Sequence, residues 1–353
     1  MYRLKNVVSR DIGFEGKHGT ANSIVDVEGV EVGHETIVKD IEQNSGKTVA
    51  VRTGVSSILP QGRERLGKDY FCGVSTLNGN GEVTGISWVE ESGMLSGPIM
   101  LTNTYSVGVV RDAVLKWLVS NNIKHDALPV VCEISDEFLN NISGHHVRDE
   151  HVFAAINEAS KNNIEQGNVG GGTGAVCYEF KGGIGTSSRI VGLCGETYTV
   201  GVMVQANHGL RQQLIIKGVP VGKSMNEHLV KTRETGSIVI VIATDAPLLP
   251  HQLKRLSKRA FLGMARTGSV SSDGSGDFSI AFSVAHGFEN RSPEIASARW
   301  LPNAELDPLF EGVVQATEES IVNALLSAES VNGIDGHYVS AIPRDQLMKL
   351  LKN

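Results

Sequence analysis

Gly236 and Ser237 stand directly before Ile238 to Thr244, a nearly unbroken apolar run in the stretch "ETGSIVIVIATDAPLLP". A run so rich in Ile and Val reads as a strand buried on both faces. A serine at its mouth, with a glycine behind it, has two readings. It ends a loop where a strand begins. Or Ser237 is a nucleophile, and the Gly236–Ser237 bond is meant to be broken. The stretch "DGSGDF", Asp273 to Phe278, adds a second hydroxyl and a carboxylate. If Ser275 to Asp277 is extended, positions i and i+2 project to the same face. The carboxylate of Asp277 can then orient the hydroxyl of Ser275, which can relay to another hydroxyl. The plainer reading of the same stretch is an Asx or Ser turn.

Other groups could serve such a nucleophile. Asn207 ends the strand-like "TYTVGVMVQAN". It can cap a turn, or its amide can stabilise an oxyanion. Glu133 follows the apolar "ALPVVC". A carboxylate there is a solvated loop residue or the captor of a substrate ammonium. The run "GGGTG", Gly170 to Gly174, lacks the spacing of a phosphate loop and precedes a strand-like "AVCYEF" rather than a helix. Its N–H groups could line an oxyanion site or pocket, or the run could be a tight connection. His208 and His286 are possible bases, but neither falls in a Ser-His-Asp pattern.

The elements that must position these groups are mixed. "SIVDVEGVEVGHETI" reads as strand alternating with turn glycines, and "TVAVRTGVSSILP" as a short strand pair. "VGVVRDAVLKWLVSNN" and "VRDEHVFAAINEASKN" read as helices. Strands follow in "AVCYEF", "SSRIVGLCG", "TYTVGVMVQAN" and "FSIAFSVA". "PHQLKRLSKRAFLGMAR" is predicted helical, with Pro250 in its first turn and Leu253, Leu256, Ala260 and Met264 on one stripe. "LDPLFEGVVQATEESIVNALLSA" and "PRDQLMKLLK" close the chain as helices. Strict βα alternation is missing, which favours an α+β layered sandwich over a doubly wound parallel sheet. With no linker or repeat, the 353 residues read as one domain.

Charged residues make up 20% and the net charge is −7, which speaks against a general nucleic-acid binder. No segment approaches the ~20 apolar residues of a membrane span. The N-terminus has no apolar core of signal-peptide length, so a cytoplasmic address is expected. Cys72, Cys132, Cys177 and Cys194 form no CxxC pair, and they read as small buried residues rather than a zinc site.

Several stretches together carry a resemblance. They are "NSIVDVEGVEVGHETI", "VRTGVSSILP", "LNGNGEVTGISWVEESGMLSGPIMLTNTYSVGVVRDA", "GNVGGGTGAVCYEFKGGIGTSSR", "VGVMVQANHG", "GSIVIVIATDAPLLPHQLKRLSKRAFLGMARTG" and "GSGD". In this order, from about residue 20 to 285, the chain resembles the DmpA-type self-processing peptidases, the L-aminopeptidases/D-esterases that include β-peptidyl aminopeptidases. The resemblance implies a four-layer αββα sandwich of the DmpA/ornithine-acetyltransferase-like type, an N-terminal-nucleophile enzyme. It implies one chain cut into residues 1–236 (α) and 237–353 (β), and a homo-oligomer of αβ units.

Carried over residue by residue, the resemblance makes Ser237 the nucleophile, with Ser275 and Asp277 as its supporting hydroxyl and carboxylate. Asn207 becomes an oxyanion donor and Glu133 the anchor of the substrate amine. Where the family often has an aromatic residue two positions after that glutamate, this chain has Ser135, another pocket position. The expected substrate is a small peptide, amide or ester with a free N-terminus, and no cofactor or metal is called for. An acyltransferase on a related fold and an uncut, non-enzymatic metabolite-binding protein are the competing readings.

Overall fold

The computed structural model describes residues 12–42, 48–123, 128–162, 165–230, 236–289, 292 and 294–352. The first eleven residues of the N-terminal segment, and residues 231–235 just before Gly236, lie outside that set.

Two β-sheets lie face to face at the centre. The smaller has the order β1-β2-β5-β6, built from β1 (Glu31–Glu42), β2 (Thr48–Leu59), β5 (Ile99–Asn103) and β6 (Val130–Ile134). The larger has the order β13-β3-β12-β11-β10-β9. Its members are β3 (Lys68–Gly79), β9 (Gly183–Leu193), β10 (Glu196–Asn207), β11 (Ser237–Thr244), β12 (Gly276–Ser283) and β13 (Phe288–Glu289), with β4 (Met94–Ser96) on β3. Short hairpins join β7 (Val176–Cys177) to β8 (Phe180–Lys181), and β14 (Val331–Asn332) to β15 (Tyr338–Val339).

The helices are α1 (Ile86–Ser92), α2 (Val107–Ser120), α3 (Asp149–Asn157), α4 (Pro250–Arg266), α5 (Asp307–Ser327) and α6 (Arg344–Lys352). α2 and α3 cover the smaller sheet, where Val110, Val114 and Ile156 meet Val55, Met100 and Val131. α4 and α5 cover the larger sheet, where Leu253, Leu256 and Ile321 meet Ile238, Ile240 and Ile242. Between the sheets, Val239, Val241 and Ile280 pack with Ile58, Leu101 and Cys132. These are the expected αββα layers.

The alternation along β11 explains its apolar sequence. Its even-numbered isoleucines enter the helix-side core, and Val239, Val241 and Ala243 enter the inter-sheet core. Both faces are dry, so the strand has no polar face to offer. Truncating Ile240 to Ala at such a site costs about 2–5 kcal/mol. The stripe expected on α4 is also present, with Leu253, Leu256, Ala260 and Met264 all buried.

Three local readings change. "TVAVRTGVSSIL" is one twelve-residue strand rather than a pair. "AVCYEF" is a tight hairpin rather than a strand, because Tyr178 and Glu179 turn the chain at φ +50° and +60°. Ile24–Asp26 is a 3-10 turn, so the first strand starts only at Glu31. Cys194 is exposed in the β9–β10 turn, unlike the other three cysteines. Among the described residues, no helix is long and apolar enough to cross a membrane.

Candidate active site

The topology brings the candidate residues to one end of the larger sheet. β11 runs antiparallel to β10 and parallel to β12. The last residue of β10, Asn207, is therefore opposite the first residue of β11, Ser237. On the other side Ser237 is in register with Gly276, the residue between Ser275 and Asp277. The backbone N–H of Gly276 donates to the carbonyl oxygen of Gly236 at 3.2 Å. That carbonyl belongs to the bond in question, and a ladder hydrogen bond fixes its direction.

Gly236 is there for space. A Cβ at this position would collide with the backbone carbonyl of Asn207 and crowd the Cα of His208. The peptide bond preceding Ser237 thus lies flush against the end of β10, with no side chain to shield its carbonyl.

Gly236 and Ser237 open into a cavity of about 850 Å³. Glu133, Ser135, Thr104 and Tyr105 line it from the smaller-sheet side. Ser272, Asp273 and Gly274 line it from the loop before β12. Glu133 is 3% exposed. Its Oε1 accepts from the backbone N–H of Glu82 at 2.9 Å, and its Oε2 accepts from the hydroxyl of Thr104. Burial pushes the carboxyl above the usual carboxylate range, and those two donors pull it part of the way back. Thr104 and Glu82 were not found from the sequence.

Ser275 and Asp277 do stand side by side. Ser275 Oγ donates to Asp277 Oδ1 at 2.7 Å, and both residues are fully buried. The other carboxylate oxygen accepts from the hydroxyl of Ser271, a partner the sequence reading missed. Asp277 is in register with Ile238, one step along from Ser237. The amide of Asn207 is oriented at both atoms: its Oδ1 accepts from Val176 N–H at 2.7 Å and its Nδ2 donates to the Ser135 carbonyl at 3.0 Å. Ser135 thus serves Asn207 through its backbone as well as lining the cavity.

Two further titratable groups are fully buried, Asp136 and Lys181. Asp136 accepts from Asn140 Nδ2 at 2.9 Å, and burial raises its carboxyl to about 7. The ammonium of Lys181 donates to the carbonyls of Gly172 and Gly182, and burial lowers it to about 7.

The remaining candidates are placed elsewhere. The N–H groups of Gly170 and Gly171 donate to the hydroxyls of Thr36 and Ser56, and Gly172 N–H donates to the Val169 carbonyl. These three donors are committed within the fold, which makes the start of the glycine run a tight connection. His208 is buried against the ring of Tyr178, with Nδ1 at 3.9 Å from Cys177 Sγ. His286 follows the far end of β12 and contacts the Arg299 carbonyl. Among the described residues, no group of three or more His, Cys, Asp or Glu is placed to hold a metal ion.

Comparison with known proteins gives the class, a serine-type hydrolase of the N-terminal-nucleophile fold. Residues 22–339 match peptidase family S58, and the chain belongs to that family. Beta-peptidyl aminopeptidase BapA of Sphingosinicella microcystinivorans is 45% identical over 368 residues, spanning 98% of this chain and 91% of that protein. The L-aminopeptidase D-Ala-esterase/amidase of Ochrobactrum anthropi, a prototype for the serine aminopeptidases with a variant Ntn-hydrolase fold, superposes with a TM-score of 0.91 at 39% identity, covering 98% of each chain. The PH0078 protein of Pyrococcus horikoshii OT3 superposes with a TM-score of 0.92 at 39% identity, covering 98% of this chain and 99% of that one. The protein is accordingly an aminopeptidase-type hydrolase. Family membership selects this reading over the acyltransferase and the uncut binding protein.

Proposed function

We propose that this single-domain chain cuts itself between Gly236 and Ser237, and that the freed Ser237 then removes N-terminal residues from small peptides, amides or esters. In the first reaction Ser237 Oγ attacks the Gly236 carbonyl carbon. The C–O bond forms, the C–N bond breaks, and the hydroxyl proton ends on the departing Ser237 amine. Water hydrolyses the resulting ester, leaving a carboxylate on Gly236 and a free amine and hydroxyl on Ser237. The observation that carries this reading is the held Gly236 carbonyl, hydrogen-bonded to Gly276 N–H and adjoining the Ser237 side of a cavity that also contains Glu133.

The second reaction reuses the same parts. The Ser237 amine is within reach of its own hydroxyl and acts as its base. Ser275 and Asp277 orient the hydroxyls. Ser237 Oγ bonds to the substrate acyl carbon, the scissile C–N or C–O bond breaks, and the hydroxyl proton passes through the Ser237 amine to the leaving amine or alcohol. Water then hydrolyses the acyl-enzyme, releasing the N-terminal residue as its acid and restoring the hydroxyl. The oxygen of the substrate acyl group falls where Gly276 N–H and the Asn207 amide can stabilise negative charge. Glu133 receives the substrate ammonium through a charge-assisted hydrogen bond, and Ser135 shapes the wall beside it. The β-peptidyl relative makes β-amino as well as α-amino N-terminal residues the substrates to compare. A homo-oligomer of αβ units and a cytoplasmic address belong to the same proposal. Size-exclusion chromatography and cell fractionation test them.

The activity is tested with paired substrates. Amino-acid p-nitroanilides with a free amine should be cleaved, and their N-acetyl forms should not. Equal turnover of both would reduce the reading to a general amidase.

A further inference from the structure

Two asparagine amides at the end of β3 reach across to the loop before β12. Asn78 Nδ2 donates to the carbonyls of Ser272 at 2.8 Å, Asp273 at 3.0 Å and Ser275 at 2.7 Å. Asn80 Nδ2 donates to the carbonyl of Gly274 at 2.9 Å. Every carbonyl from Ser272 to Ser275 is therefore held by one of two side chains. An amide group has only two hydrogens to share among three acceptors. Three carbonyls from so short a segment converge on one donor only if the loop wraps around it.

A β-bulge directs Asn78 to this place. Asp277 pairs with Asn78, yet the next residue, Phe278, pairs with Thr76, so Leu77 is the extra residue of β3. Bulges of this kind re-aim a neighbouring side chain and recur beside active sites. The wrapped loop also contains Ser271 at φ +51°. That left-handed conformation costs a non-glycine residue about 1–2 kcal/mol, so something must hold it. It puts the Ser271 hydroxyl on one oxygen of Asp277, while the Ser275 hydroxyl takes the other. Of the two hydroxyls on the carboxylate, one belongs to the last residue of the segment that Asn78 grips and the other to the residue just before that segment.

We infer that Asn78, assisted by Asn80, is the positioning residue for the Ser275–Asp277 pair: its amide closes the Ser272–Ser275 loop around itself and so keeps both hydroxyls on the carboxylate beside the Ser237 strand. The inference rests on the reading of Ser275 and Asp277 as the support of Ser237. Asn78 itself acts only through the loop. The amine anchor Glu133 is on the other sheet and is untouched by it.

The test is a double-mutant cycle on kcat, KM and Tm with Asn78→Ala, Asp277→Asn and both together. Misplacing a reacting group by about 1 Å costs on the order of 10²-fold in rate. Asn78→Ala should therefore lower kcat by roughly that factor, with KM changed less than about fivefold. The double variant should be no more than about threefold slower than Asp277→Asn alone, because both changes remove one function. A variant that stays uncut is read by its self-cleavage half-time, with the same pattern expected. If Asn78→Ala does not fold, Asn80→Ala and Ser271→Ala carry the cycle, each removing one bond of the clamp. A normal kcat in Asn78→Ala beside a slow Asp277→Asn overturns the inference. So do effects that multiply in the double variant, which would mark a structural role. A normal Asp277→Asn removes the pair itself, and the inference with it.

Discussion

The loops Gly170–Gly174 and Ser271–Gly276 have much in common as sequences. Each is glycine-rich, precedes a strand-like stretch and could offer backbone donors to a ligand. Their surroundings separate them. The first is buried between the sheets, with the Gly170 and Gly171 N–H groups bonded to Thr36 and Ser56. Ser56 is in turn bonded to His34, whose ring burial lowers to about 4. The second loop lines the cavity, and its carbonyls are the groups that are held, by Asn78 and Asn80. Its hydroxyls meet Asp277, and the N–H of its last glycine meets the Gly236 carbonyl. The two loops differ in where their polar groups are committed, the first within the fold and the second at the cavity, and glycine content says nothing about that.

The largest effect is expected at Ser237. Ser237→Ala should abolish both self-cleavage and hydrolysis, read by denaturing gel and by p-nitroaniline release. Either activity surviving would move the chemistry away from the second loop. Next in size, Asp277→Asn should keep its fold and lose on the order of 10²-fold or more in kcat. Turnover close to wild type would make that loop another scaffold.

Glu133→Gln should lower kcat/KM for free-amine substrates by roughly 30- to 1,000-fold, the equivalent of about 2–4 kcal/mol. Self-cleavage should continue, since no substrate amine takes part in it. The same residue should set the pH profile. Burial raises the Glu133 carboxyl, so it takes up its proton at a higher pH than an exposed glutamate. An ammonium needs the ionised form. kcat/KM should therefore fall as pH drops through that raised value, and this acid limb should disappear in Glu133→Gln. An identical limb in both proteins would assign it to another group.

The smallest effect on activity should come from the first loop. Gly170 has φ +50°, and a Cβ there would collide with Ser56 Oγ. Gly170→Ala should cost about 1–3 kcal/mol of stability. Its kcat per folded molecule should stay near wild type, as followed by urea unfolding and active-site titration. A large kcat loss without a stability loss would give the first loop a part in catalysis.

Much of this was legible in the chain because the signals were local. The apolar run after Ser237 made β11 a buried strand, Pro250 marked the start of α4, and the i, i+2 spacing paired Ser275 with Asp277. What escaped depended on distant parts of the chain. The partners of Glu133, Thr104 and Glu82, come from separate segments. Asn78 and Asn80 find their acceptors some 195 residues away. The strand pair expected in "TVAVRTGVSSILP" is one strand, and Gly54 inside it meets the backbone carbonyls of Glu35 and Gly170, where a Cβ would collide. The hairpin at Tyr178 and Glu179 has positive φ at two residues that rarely adopt it.

In the proposed reaction the Gly236–Ser237 bond is broken to make the catalyst. Intact mass measurement with N-terminal sequencing of the purified protein tests it most directly. Two fragments are expected, residues 1–236 and 237–353, with the second beginning Ser-Ile-Val and activity rising in step with its appearance. A fully active preparation that remains one uncut chain would contradict it.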